Sequence, residues 1–149
     1  MRFDVIVVDP PWQQNKTGHR DSRPNQTKSL DYKTMKLEDI KSLPISSIAS
    51  SKSICFLWTT QKFLRYAFDV LESWEFAPMF TLVWDKGNGM SMFGFHLRTE
   101  FIVVGKKGDW NFFMGGRAMP SLITEHSWRK HSVKPDSFYS MAGEFGPLR

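Results

Sequence analysis

The chain has 149 residues, 41% hydrophobic, 15% aromatic and 23% charged, which suffices for one compact domain and excludes general disorder. A lone Cys55 excludes a disulfide scaffold, and no apolar run reaches the roughly 18 residues of a membrane helix. Twenty Lys and Arg against fifteen Asp and Glu give +5 at pH 7, a balance that favours polyanionic partners without requiring one.

The first residues enter a short apolar run that contains an acid, which is no signal peptide. The chain therefore reads as a soluble, cytoplasmic protein with a single domain over residues 1–149. Phe3 to Val8 is β-branched and lacks alternation, the pattern of a strand buried on both faces. Asp9-Pro10-Pro11-Trp12 stops it, since proline has no N–H for the ladder. Gln13 to Leu30 reads as a long polar loop, and from Gln13 to Lys36 six Lys and Arg face two Asp, carrying +4 of the whole charge. Arg20 and Arg23 within it are candidates for holding a phosphate backbone, with a solvated loop as the plainer alternative.

Leu37 to Leu43 reads as a short helix stopped by Pro44. Ser53 to Trp58 is a second buried strand, and Thr59 or Thr60 can cap the helix after it. In that helix Phe63, Ala67, Val70 and Trp74 share one apolar face. Phe80 to Trp84 and Glu100 to Val104 make two more strands, with Gly87, Gly89 and Gly94 marking a flexible connection between them. Pro135 and Asp136 open a last helix, whose apolar face is Phe138, Met141, Ala142 and Phe145. Strands alternating with helices predict an α/β sandwich.

Asp9-Pro10-Pro11-Trp12 carries the chemistry. Ligands of open α/β sheets bind outside the carboxyl ends of the strands, where this tetrapeptide lies. A carboxylate and stiff prolyl carbonyls can accept the hydrogens of an amine while an indole stacks on its ring. A strand-ending turn with a packed Trp is the plainer alternative. His126 and His131 lie five apart with one cysteine in the chain, so no metal site is expected. Ser121 and Ser127 have no visible triad, and Trp58 and Trp74 read as core.

The sequence resembles the N(6)-adenine methyltransferases typified by the catalytic subunit of the messenger-RNA adenosine methyltransferase, with bacterial and phage DNA-modifying members. The resemblance runs through Asp9 to Trp12, Tyr32-Lys33-Thr34-Met35, Phe56-Leu57-Trp58-Thr59-Thr60, Trp84-Asp85-Lys86, Arg98-Thr99-Glu100 and His131 to Asp136. It implies a Rossmann-like α/β methyltransferase sandwich, with a mostly parallel sheet and flanking helices. It also implies methyl transfer from S-adenosylmethionine to the exocyclic amine of adenine in nucleic acid, DNA in preference to RNA. Asp9, Pro10, Pro11 and Trp12 would then be catalytic. Tyr32 would line the donor's pocket, and Lys134 would pair with the donor's carboxylate at the start of its helix. Lys86 and Glu100 would touch substrate, with a strand-end ion pair as the alternative. After the last helix the family continues into a strand and a Gly-Asn dipeptide, whereas this sequence stops at Arg149. A C-terminally truncated domain is one expectation, which leaves two alternatives beside the enzyme: a nucleic-acid or partner-binding module without chemistry, or a fragment of a longer enzyme completed by a second polypeptide.

Overall fold

In the computed structural model the described residues are 1–13, 33–92, 94–112, 118–126 and 133–146. Strand β1 (Phe3–Val8) runs parallel to β2 (Ala49–Thr59), with Val5 opposite Ile54 and Val7 opposite Phe56. Two short helices, α1 (Leu37–Lys41) and α2 (Ile45–Ile48), precede β2, and α3 (Leu64–Ser73) follows it. β3 (Ala77–Met92) and β4 (Phe95–Lys107) form a long antiparallel hairpin. A two-residue strand β5 (Leu122–Ile123) and helix α4 (Asp136–Glu144) follow.

The sheet order is β1-β2-β4-β3-β5. β1 with β2 and β3 with β5 are parallel, and β4 is antiparallel to both its neighbours. Four strands thus point one way and β4 alone is reversed, a mostly parallel sheet of Rossmann-like type. Among the described residues no helix is long and apolar enough to cross a membrane.

Both faces of the sheet are covered at β2, whose central residues are buried without alternation. The expectation that Phe3 to Val8 is buried on both faces is corrected: in β1 only Ile6 is buried, and Phe3 and Val7 are exposed. On one face Cys55, Leu57 and Val103 pack with Ile6, Ile40, Ala67, Leu71 and Trp74, bringing α1 and α3 onto the sheet. On the other, Ile54, Phe56, Trp58, Ile102 and Val104 meet Phe138, Met141, Ala142 and Phe145 of α4. Successive residues of β2 alternate between two hydrocarbon layers rather than between hydrocarbon and water. Burial of Cys55 pushes its thiol up to about 12, so it stays protonated and inert.

Three local expectations are corrected. The glycines of the supposed flexible connection belong to the β3–β4 hairpin. Gly87 takes φ +74 within a register shift, and a Cβ on Gly89 would lie 2.5 Å from the Leu97 carbonyl oxygen. No threonine side chain caps α3: its N-cap is Phe63, and Thr60 serves only through its carbonyl, which accepts the Phe63 N–H at 3.0 Å. Pro44 does not simply end a helix; it is the N-cap of α2, which delivers the chain directly into β2.

Phe138 is completely buried between Phe56 and Trp58. Phe138→Ala should therefore lower unfolding free energy by roughly 3–5 kcal/mol in urea titration. A loss below about 1 kcal/mol would show that α4 is not part of the cooperative core.

Candidate active site

The turn after β1 is built by its prolines. Trp12 N–H donates to the Pro10 carbonyl, and Met35 N–H donates to the Pro11 carbonyl, each at 2.8 Å. The turn is thereby tied to the chain leading into α1. Asp9 is left at the carboxyl tip of β1 with its side chain 47% exposed.

Four charged side chains converge there from three elements and the segment before α4. Lys134 Nζ lies 2.7 Å from Glu100 Oε2 and 3.2 Å from Asp9 Oδ2. The other oxygen of Glu100 takes Lys86 Nζ at 3.3 Å. The result is an alternating ladder of Asp9, Lys134, Glu100 and Lys86. Lys134, only 10% exposed, also stands 4.6 Å from the centroid of the Trp58 ring. That ring is fully buried and held edge-on by Trp84 and Phe138. Its π face is a further electrostatic seat for the ammonium.

These neighbours set the protonation states. Burial works against the Lys134 ammonium, but Glu100 and Asp9 outweigh it, and its pKa rises above the usual lysine value. Partial enclosure raises the Asp9 pKa above the usual 3.8, with Lys134 opposing through charge and hydrogen bonding, and Glu100 adding to the rise.

Several sequence expectations change. The indole of Trp12 is not an open platform. It is 6% exposed, its N–H donates to the Trp58 carbonyl at 2.9 Å, and its ring stacks on Phe63 at 5.3 Å. The prolyl carbonyls are each already accepting one hydrogen bond, which leaves one lone pair apiece. Lys86 and Glu100 form the ion pair that was the alternative to substrate contact. Lys134 is paired with two protein acids, and the anion at the start of α4 is internal. The Glu125 carboxylate accepts Asp136 N–H at 3.1 Å and Ser137 N–H at 2.8 Å. Tyr32, Arg20 and Arg23 lie outside the described residues.

Sequence reasoning missed Glu125, because an acid eleven residues before a helix gives no capping signature. It also took Trp58 for core alone, since nothing in the sequence places Lys134 above it.

A mostly parallel sheet with Asp9 at the carboxyl tip of β1 and the buried Lys134 beside it frames a Rossmann-like α/β domain, and the family match makes it one of the methyltransferase class. The chain belongs to the MT-A70 family, whose profile matches residues 3–149. It is 30% identical to Type II methyltransferase M.MunI of Mycoplasma sp, over 90% of this chain and 63% of that protein. It is 23% identical to a putative N(6)-adenosine-methyltransferase MT-A70-like protein of Medicago truncatula, over 98% of this chain and 22% of that protein. A third relative is the N6-adenosine-methyltransferase non-catalytic subunit MTB of Arabidopsis thaliana, 38% identical over 58% of this chain and 11% of that protein. The chain thus spans between about a tenth and two thirds of these relatives' lengths.

Because Lys134 opposes the rise in the Asp9 pKa, Lys134→Met should move that pKa further up. Carboxyl-carbon NMR titration of Asp9 reads the shift directly. An unchanged titration would mean that the ion pair does not persist in solution.

Proposed function

We propose that this chain takes part in methyl transfer from S-adenosylmethionine to the exocyclic amine of adenine in nucleic acid. The observation that carries the proposal is the half-open Asp9 carboxylate at the β1 tip, beside a buried lysine that is held by two acids. Family membership supports the reaction class.

The charged groups suit such a donor at its amino-acid end. Asp9 offers a carboxylate to an ammonium, and Lys134, with three N–H donors, has one beyond those serving Asp9 and Glu100. When bound, S-adenosylmethionine supplies an electrophilic methyl group on a cationic sulfur. β1 pairs only with β2 among the described residues. That one-sided pairing supports a donor site completed by residues beyond those described or by a second polypeptide.

Asp9 and the free lone pair of the Pro10 carbonyl would accept the two hydrogens of the adenine amine. Fixed acceptors at that nitrogen draw it towards tetrahedral geometry and localise its electron pair. They also stabilise the positive charge that grows there as the N–C bond forms and the S–C bond breaks. The S–C electron pair stays on sulfur, and the amine proton, now acidic, leaves to solvent. Asp9 must first release Lys134. Glu100 is the nearer partner of that ammonium, and Trp58 lies beneath it, so the lysine keeps a seat when the substrate takes its place at Asp9.

A second reading, a binding subunit without chemistry, draws support from two observations. The Trp12 indole is engaged internally, and one relative is named a non-catalytic subunit.

The test is transfer of labelled methyl from S-adenosylmethionine to single-stranded DNA and RNA oligonucleotides. Asp9→Ala should cut the rate by roughly 10²–10³-fold. Retained turnover would remove Asp9 from the chemistry. Nucleic-acid binding without any turnover, and without calorimetric binding of the donor, would favour the second reading.

The pH dependence follows from Asp9. The acceptor must be ionised, so kcat/KM should fall as pH drops through a pKa above 3.8, with no basic limb from Lys134 near neutrality. A profile flat down to pH 4 would place the titrating acceptor elsewhere.

A further inference from the structure

The turn has a second side. Opposite the charged ladder, the same tetrapeptide contributes Trp12 to an apolar cavity of about 230 Å³, walled also by Gln13, Met35, Leu37, Phe63 and Tyr66. Its volume is below the roughly 300–1,000 Å³ of pockets for larger ligands, a size that suits one small planar ring system. Three of its walls are aromatic.

Cations border these walls. Lys62 Nζ stands 5.2 Å from the Phe63 ring centroid and Arg65 Cζ 4.7 Å from that of Tyr66. Lys33 and Lys36 are also exposed, flanking the stretch that carries Met35. Against them stand Glu38 and Asp39 of α1, and Glu38 is paired with Lys41 at 3.8 Å. Aromatic walls with adjoining cations are how proteins hold unpaired bases: the rings take the base and the cations take the backbone.

We propose that this cavity receives the nucleobase adjacent to the target adenine, so that the Asp9–Trp12 turn stands between two splayed neighbours of a single strand. The proposal rests on nucleic acid being the substrate. Asp9 and Trp12 are three residues apart, at most about 10 Å of chain, a span that two adjacent splayed nucleotides can bridge. The buried state of Trp12 acquires a purpose here. Its N–H bond to Trp58 and its stacking on Phe63 fix the wall between the two positions. Tyr66 and Arg65 sit on the first turns of α3, which packs firmly through Ala67, Val70 and Leu71, so this side of the cavity is set on a rigid element.

The test is fluorescence anisotropy of the full chain with a labelled single-stranded DNA of about twelve nucleotides holding one central adenine. Copies carry an abasic residue immediately 5′ or 3′ of that adenine, and the set is repeated in RNA. One abasic position should weaken binding roughly tenfold, as expected for one stacked base. Tyr66→Ala should weaken binding of the intact strand by a similar factor and abolish its difference from the abasic strand, while Tyr66→Phe restores both. Arg65→Ala with Lys62→Ala should flatten the salt dependence.

Tight binding of all strands with no abasic effect would overturn the pocket while leaving nucleic acid as substrate. A loss in Tyr66→Ala that is equal for intact and abasic strands would overturn it too, as a general structural effect. No binding to any DNA or RNA strand would overturn this proposal and the substrate assignment together.

Discussion

The ammonium of Lys134 is the point on which the candidate site depends. It is almost enclosed, and an enclosed charge survives only when opposite charges surround it. Glu100 from β4, Asp9 from the tip of β1 and the π face of Trp58 on β2 supply that surrounding. One lysine therefore registers three strands and the start of α4 against each other. It also keeps Asp9 in place while its carboxylate stays half open to solvent.

Glu125, just after β5, contributes to the same registration. It anchors the first turn of α4 with its carboxylate, and its carbonyl accepts the Trp84 indole N–H at 2.8 Å. Trp84 in turn packs edge-on against Trp58. The ring beneath Lys134 and the helix behind it are thus held by one residue. At the hairpin, Asp85 pairs with Arg98 at 2.7 Å and also accepts the Gly87 N–H, which holds its carboxyl down at about 2. β3 is stiffened on both sides of Lys86 by these contacts.

The tetrapeptide after β1 separates two environments. Its acid belongs to the charged ladder, and its indole belongs to the hydrocarbon layer of α1 and α3. The inward turn of the indole has a physical cause. Its ring finds Phe63 and its N–H finds the Trp58 carbonyl, so both its apolar and polar parts are satisfied inside the domain.

Much of the architecture is legible from the residues because it rests on local rules. Apolar runs without alternation mark the strands, though double-sided cover is realised at β2 and not at β1, and Asp9-Pro10-Pro11 must end a ladder. The spacing of Phe63, Ala67, Val70 and Trp74 demands an apolar helical face. Asp9 and Lys134 are also legible as charged groups at element ends. What they touch is not, because pairing between positions over a hundred residues apart is decided by strand order. Insertion of the reversed β4 between β2 and β3 brings Glu100 to Lys134. The packing of α4 on β2 sets Trp58 beneath it, and Glu125 supplies the anion that the helix start requires. The sequence by itself determined which groups can carry charge and where the chain must turn. Only the tertiary structure decided their partners, because side chains far apart in sequence compete for the same few buried seats.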